Sequence, residues 1–222
     1  MYAVPTLRGL TPPDIHAVSR PARTFTGDFY FTHRHDDRLW IAVGDVAGKG
    51  LPAAIVMAMI QEELEHRIIS CANAECDPSR TMQRLHEFLL PLLPQNRFAT
   101  AVIGWLDPDG TLRMANAGHC PPLIARADGT IEEIGSTGPI AGVLPGSKWH
   151  SVTTTLNDGD ALVLYSDGVT EACVGGEQVG VIGLREFVAR APRDGRASDI
   201  AKAVLGQIPG HEDDLTMLIV RR

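Results

Sequence analysis

Apolar runs, polar turns and two helix-like segments succeed one another along this chain in an order that sketches its fold. Phe29–Thr32 and Leu39–Gly44 read as strands joined by the polar turn His33–Arg38. Gly48-Lys49-Gly50 then breaks the chain. Ala53–Ile69 is rich in helix formers, and Pro78–Leu92 predicts a second helix, with Asp77 or Ser79 as its N-cap and Pro91 and Pro94 ending it. Strands follow. Thr100–Leu106 and Thr111–Ala117 flank Asp107-Pro108-Asp109-Gly110, a strong hairpin signal. Pro122–Arg126 with Thr130–Ile134, and Trp149–Leu156 with Ala161–Tyr165, repeat the arrangement. Leu184–Arg190 and Ala197–Leu205 look helical, and Leu215–Val220 closes the chain as a strand.

Strands and helices that do not alternate indicate an α+β fold, with two antiparallel sheets packed together and flanked by helices. At 222 residues, with no repeat and no Pro/Ser-rich linker, one domain over 1–222 is expected. A charged fraction of 21% beside 44% hydrophobic residues is globular rather than disordered usage. The net charge of -7, without a basic run, argues against nucleic acid as a partner. The longest strongly apolar stretch, Leu51 to Ile60, is too short to cross a bilayer and contains Pro52, so no membrane partner is expected. Cys71, Cys76, Cys120 and Cys173 form no zinc-type pair and no dense disulfide pattern, which predicts reduced, passive thiols and a cytoplasmic location.

Four acids share a context. Asp28 opens a strand after Gly27, and Asp45 lies where a strand gives way to a glycine loop. Asp167 follows the apolar run Ala161–Tyr165, and Asp213 and Asp214 precede the last strand. Carboxylates at strand ends can face a shared cleft, and hard cations such as Mg²⁺ or Mn²⁺ take such oxygen ligands while keeping several waters. A single Asp beside Gly is ordinarily a turn residue, and Asp109, Asp128 and Asp158 are read that way. Composition and spacing alone do not separate the two classes.

Six segments taken together do. They are Pro21-Ala22-Arg23 with Gly27-Asp28-Phe29-Tyr30; Gly44 to Gly50 with Ala53-Ala54; Arg97-Phe98-Ala99-Thr100; Asn116-Ala117-Gly118-His119; Ser166 to Ala172; and Asp213-Asp214-Leu215-Thr216. In this order they resemble the PPM-type (protein phosphatase 2C) serine/threonine phosphatases, in the bacterial branch typified by the stage II sporulation protein E phosphatase domain. The resemblance covers essentially the whole chain. Thr26 stands where the family often has a second glycine, Ala47 stands at a common serine position, and Gly138–Gly142 matches loosely.

The resemblance implies an αββα sandwich of two central antiparallel sheets flanked by helices. It implies two divalent cations, Mn²⁺ or Mg²⁺, with Asp45 bridging them. Asp28 and the backbone carbonyl of Val46 would complete one site, and Asp167 and Asp213 would hold the other. A metal-activated water would then attack a phosphoserine or phosphothreonine in line, with no phosphoenzyme. All four acids being present argues against a dead pseudophosphatase. The implied substrate is a phosphorylated anti-sigma-factor antagonist in bacterial partner switching. Relatives often carry a sensory or receiver domain ahead of the phosphatase, whereas here the first motif begins at Pro21, which fits either a chain governed by partners or an excised domain. The two helices after the second motif are associated in the family with switching and dimer contacts, so a homodimer or a regulatory protein is a further expectation.

Three other residues are candidates for supporting roles. Arg23 could reach the substrate phosphate with a bidentate fork, or be a surface arginine. His119 could be a general acid, or satisfy local backbone groups. Asp214 could help position Asp213, although adjacent side chains on a strand diverge. Lys49 sits in a glycine loop that lacks the spacing and Ser/Thr of a Walker A motif, which disfavours an NTPase. The rival readings are a phosphatase-like module that binds or sequesters a phosphoprotein without turnover, and a hydrolase of small phosphoesters.

Overall fold

The computed structural model describes residues 12–22, 24–71, 76–94 and 96–222. In chain order its elements are β1 (Asp14–Arg20), β2 (Phe29–His35), β3 (Arg38–Val46), α1 (Leu51–Ile69), α2 (Pro78–Leu89), β4 (Ala99–Leu106) and β5 (Thr111–Ala117). There follow β6 (Leu123–Ala125), β7 (Ile131–Glu133), β8 (Val152–Thr155), β9 (Ala161–Tyr165), α3 (Asp167–Thr170), β10 (Cys173–Val174) and β11 (Glu177–Gln178). The last are α4 (Gly180–Arg190), α5 (Ala197–Leu205) and β12 (Leu215–Arg221). One antiparallel sheet has the order β2-β3-β4-β5-β8 and the other β1-β12-β9-β6-β7, with β10-β11 a small separate ribbon.

Strand alternation builds the layers. On β3, Leu39, Ile41 and Val43 enter a core between the sheets, where Leu162 and Leu164 of β9 and Leu218 and Val220 of β12 meet them. The opposite faces carry Trp40 and Ala42 toward α1 and α2, and Val163, Tyr165, Met217 and Ile219 toward α4 and α5. Both faces of the central strands are thus buried, so their sequences read as continuous apolar runs. The α+β, αββα reading therefore holds.

Several local expectations need correction. The chain enters α1 two residues early, because Pro52 falls in the first turn, where its missing N–H has no partner to lose. Asp77 caps α2 by accepting from the Ser79 N–H at 2.9 Å, and the helix stops at Leu89 rather than Leu92. The third expected hairpin is not one: β8 pairs with β5, whereas β9 pairs with β12 and β6 in the other sheet. Every residue of β9 is buried, which demands a central place, while β8 alternates half-buried and exposed and suits an edge. The edge strand β1 was not foreseen, since it is partly exposed throughout and has no strong apolar run.

The expectation of four reduced thiols also fails. Cys71 and Cys76 form a disulfide, Cα–Cα 5.8 Å, which ties the end of α1 to the approach of α2. Two helices packed side by side and joined by a short connection bring these positions within bridging range, a proximity that no CxxC rule detects. Cys120 and Cys173 are free. Among the described residues no helix is long and apolar enough to cross a membrane.

Candidate metal centre

Antiparallel register gathers the acids at one end of the sandwich. Phe29 lies opposite Gly44, so the entry to β2 and the exit of β3 are neighbours, and with them Asp28 and Asp45. In the other sheet Met217 lies opposite Tyr165, so the exit of β9 and the entry to β12 bring Asp167 beside Asp213 and Asp214. All five carboxylates line one cleft of about 100 Å³, room for several waters. Lys49 is the one cationic side chain lining it among the described residues, and Phe25, Ala22 and Gly48 complete its rim.

Close backbone approaches hold the two halves together. The Ser166 hydroxyl donates to Asp28 Oδ2 at 2.6 Å across 138 positions of sequence, and accepts from the Thr216 N–H at 2.9 Å. A Cβ at Gly27 would stand 2.7 Å from the Val46 carbonyl oxygen and 2.9 Å from Asp45 Oδ1. A Cβ at Gly168 would stand 2.1 Å from the Asp214 carbonyl oxygen. The glycines beside these acids are therefore required by space. Asp214 Oδ1 accepts from the Ala22 N–H at 2.8 Å, and the Asp214 N–H donates to Asp213 Oδ1 at 2.9 Å. Asp213 Oδ2 faces Lys49 Nζ at 3.4 Å.

The electrostatics are those of a site short of positive charge. Burial, with the neighbouring charges of Asp45 and Asp214, outweighs the Ser166 and Thr216 hydrogen bonds and raises Asp28 to about 7. Burial, then Asp167, Asp213 and Asp214, raises Asp45 to about 6. Asp167 moves upward through burial and Asp213. One ammonium does not balance five carboxylates, and divalent cations would. No three His, Cys, Asp or Glu side chains among the described residues close on a single point. Mg²⁺ and Mn²⁺ take carboxylate oxygens and keep several waters. The donor set fits such ions.

The remaining candidates separate clearly. Arg23 lies outside the described residues. His119 is buried, its Nδ1 2.8 Å from Thr100 Oγ1 and its backbone bonded to the Asn116 side chain, and it does not line the cleft. Burial lowers it to about 4, so it is neutral near pH 7. Ser166 and Phe25 were not singled out from sequence. The one sequence signal for Ser166 is its place directly before Asp167.

Comparison with known proteins fixes the family. The description Stage II sporulation protein E (SpoIIE) matches residues 35–222. The chain belongs to the SpoIIE family. This is the bacterial PPM-type branch that the motifs resemble. Protein IcfG of Synechocystis is 32% identical over 94% of this chain and 38% of its own length. Phosphoserine phosphatase RsbU of Bacillus subtilis is 31% identical over 71% of this chain and 47% of its own. The SpoIIE-family chain thus spans less than half the length of these two relatives. A structure of the RsbU and RsbW domains of Rv1364c from Mycobacterium tuberculosis superposes with a TM-score of 0.79 at 28% identity, covering 96% of this chain and 61% of the other.

Proposed function

We propose that this SpoIIE-family chain is a metal-dependent protein-serine/threonine phosphatase. The observation that carries the reading is the convergence of five carboxylates from both sheets on one cleft with a single ammonium. In this reading Asp28, Asp45 and the Val46 carbonyl would hold one cation, Mn²⁺ or Mg²⁺, and Asp45, Asp167 and Asp213 would hold a second. Bound there, the cations supply Lewis acidity toward phosphoryl oxygens and acidify water toward neutral pH. The protein's part is to fix the donors. Ser166 holds Asp28, and Gly27 admits Asp45 and Val46 at close range. Neither nearby nucleophile suits a covalent route: burial pushes the Cys120 thiol up to about 12, and the Ser166 hydroxyl is committed to Asp28.

The substrate we infer is a phosphorylated anti-sigma-factor antagonist. A relative named phosphoserine phosphatase and a neighbour whose chain joins RsbU and RsbW domains support this reading. We place the reaction in the cytoplasm, with that substrate. A regulatory protein or second copy would use the exposed apolar stripe Leu51, Ile55 and Met59 on α1, and molecular mass across a dilution series reads the second-copy option.

The test is release of phosphate from phosphorylated antagonist proteins of the same genome, from a phosphopeptide and from a small phosphoester, with Mn²⁺ and with chelator. Turnover of the phosphoproteins only with the cation is expected. Binding without release in Mn²⁺ would make the chain a sequestering module, and turnover of small phosphoesters alone would make it a different hydrolase.

A further inference from the structure

The Gly48-Lys49-Gly50 loop is anchored at its start by Arg97 and Phe98, and its lysine side chain is not part of that anchor. The Arg97 guanidinium donates to the Ala47 carbonyl at 2.7 Å, and the Ala47 N–H donates to the Phe98 carbonyl at 2.9 Å. Gly48, at φ +123°, lies so close under Arg97 that a Cβ would fall 1.1 Å from Nη1. Two residues beyond Lys49, α1 begins with no side-chain cap and no acid in its first turn. No protein anion therefore competes for the lysine from that side. Its contact is Asp213 Oδ2 at 3.4 Å, across the mouth of the cleft, with the side chain 60% exposed.

A phosphorylated side chain entering the cleft brings about two negative charges toward a rim built of carboxylates. Two divalent ions would leave one of the five carboxylates unbalanced, so the cleft without its lysine would offer no net attraction to the incoming dianion. We propose that Lys49 is a substrate-binding residue that receives the phosphate, and that it screens Asp213 until a cation arrives. When Asp213 turns to a cation, the ammonium loses its partner and stays at the mouth, within reach of a phosphoryl oxygen. An ammonium serves here as a mobile point charge, and its four-carbon stem permits the exchange of partners.

This inference rests on the phosphatase reading, and it predicts opposite movements of two affinities. Lys49→Gln should bind Mn²⁺ about fivefold more tightly by calorimetry, because a neighbouring positive charge is gone. At saturating Mn²⁺ its KM for the phosphopeptide should rise about tenfold, with kcat within about twofold, as expected when charge-assisted binding is lost. Lys49→Arg should restore KM. An unchanged KM, or Mn²⁺ affinity and KM worsening together, would overturn the proposal, the latter because the lysine would merely be holding the loop. Should the wild type turn over nothing, the phosphatase reading fails by itself. Calorimetry of inorganic phosphate on the Mn²⁺-loaded protein then decides: weaker binding by Lys49→Gln supports the role and equal binding sinks it.

Discussion

Two buried aspartates, Asp28 in the cleft and Asp160 before β9, have opposite fates. Asp160 Oδ2 accepts from Arg126 Nη1 at 2.8 Å and from the Asn157 N–H at 2.9 Å, while Oδ1 accepts from the Ala127 N–H at 2.9 Å. Burial would raise it, but the Arg126 hydrogen bond and the backbone donors overcome burial and hold it below the usual carboxylate range. Asp28 has the Ser166 hydroxyl and acidic neighbours, and it rises to about 7. The exposed turn acids behave like Asp160: Asp109 and Asp128 turn an oxygen to the N–H two residues ahead, on Thr111 and Thr130 at 2.8 Å each. A structural aspartate has its oxygens occupied by its own surroundings. Asp28, with few donors and acidic neighbours, has its oxygens in surplus, and that surplus lowers stability.

Substitution should pull the two regions apart. Asp45→Asn is expected to cost on the order of a thousandfold in metal-dependent turnover, the scale for losing a preorganised electrostatic group. In chelator the same variant should be more stable than wild type by about 2 kcal/mol, since a raised, crowded carboxylate is gone. Equal or lower stability in chelator would break the comparison. Asp160→Ala should do the reverse. It leaves the Ala127 and Asn157 N–H groups without their acceptor, while Arg126 keeps Glu132, and should cost about 2 kcal/mol in denaturant unfolding, with activity per folded molecule unchanged.

The sign also follows in pH. Asp28 and Asp45, raised from 3.8 to about 7 and about 6, hold protons that the unfolded chain has released, so the chelated protein loses stability as pH climbs from about 4 to about 7. Asp160, depressed, contributes stability above the ordinary value of 3.8 and loses it only as pH falls below. Melting temperatures in chelator should therefore fall as pH rises from about 4 to about 7 in wild type, and fall less in Asp45→Asn.

The central strands were legible because β3, β4, β9 and β12 are buried on both faces and leave uninterrupted apolar runs. What local sequence does not carry is which sheet a strand joins. Asn157-Asp158-Gly159-Asp160 makes a tight turn in either case, and here it carries the chain from one sheet to the other. The site divides in the same way. Asp28, Asp45, Asp167 and Asp213 share their glycine-rich context with Asp109, Asp128 and Asp158, so spacing alone could not choose among them. Their difference lies in contacts made across long stretches of sequence, such as Ser166 to Asp28, and only the ordered motifs stood in for those contacts. The Cys71–Cys76 bridge escaped for the same reason, since helix packing sets that proximity.

His119 gives the smallest effect. It stands in one of the motifs but outside the cleft: Thr100 Oγ1 engages its Nδ1, the Asn116 amide brackets its backbone, its Nε2 is buried with no partner among the described residues, and burial lowers it to about 4. A general acid would have to carry its extra proton near neutral pH, which this environment disfavours. His119→Gln, which keeps a polar head but disturbs the Thr100 contact, should lower stability by about 1 kcal/mol. The pH profile of kcat/KM should keep both limbs where they are, because the titrating groups sit in the acidic cleft. A lost or displaced basic limb would place His119 in the proton transfers and remove it from the structural side of the comparison.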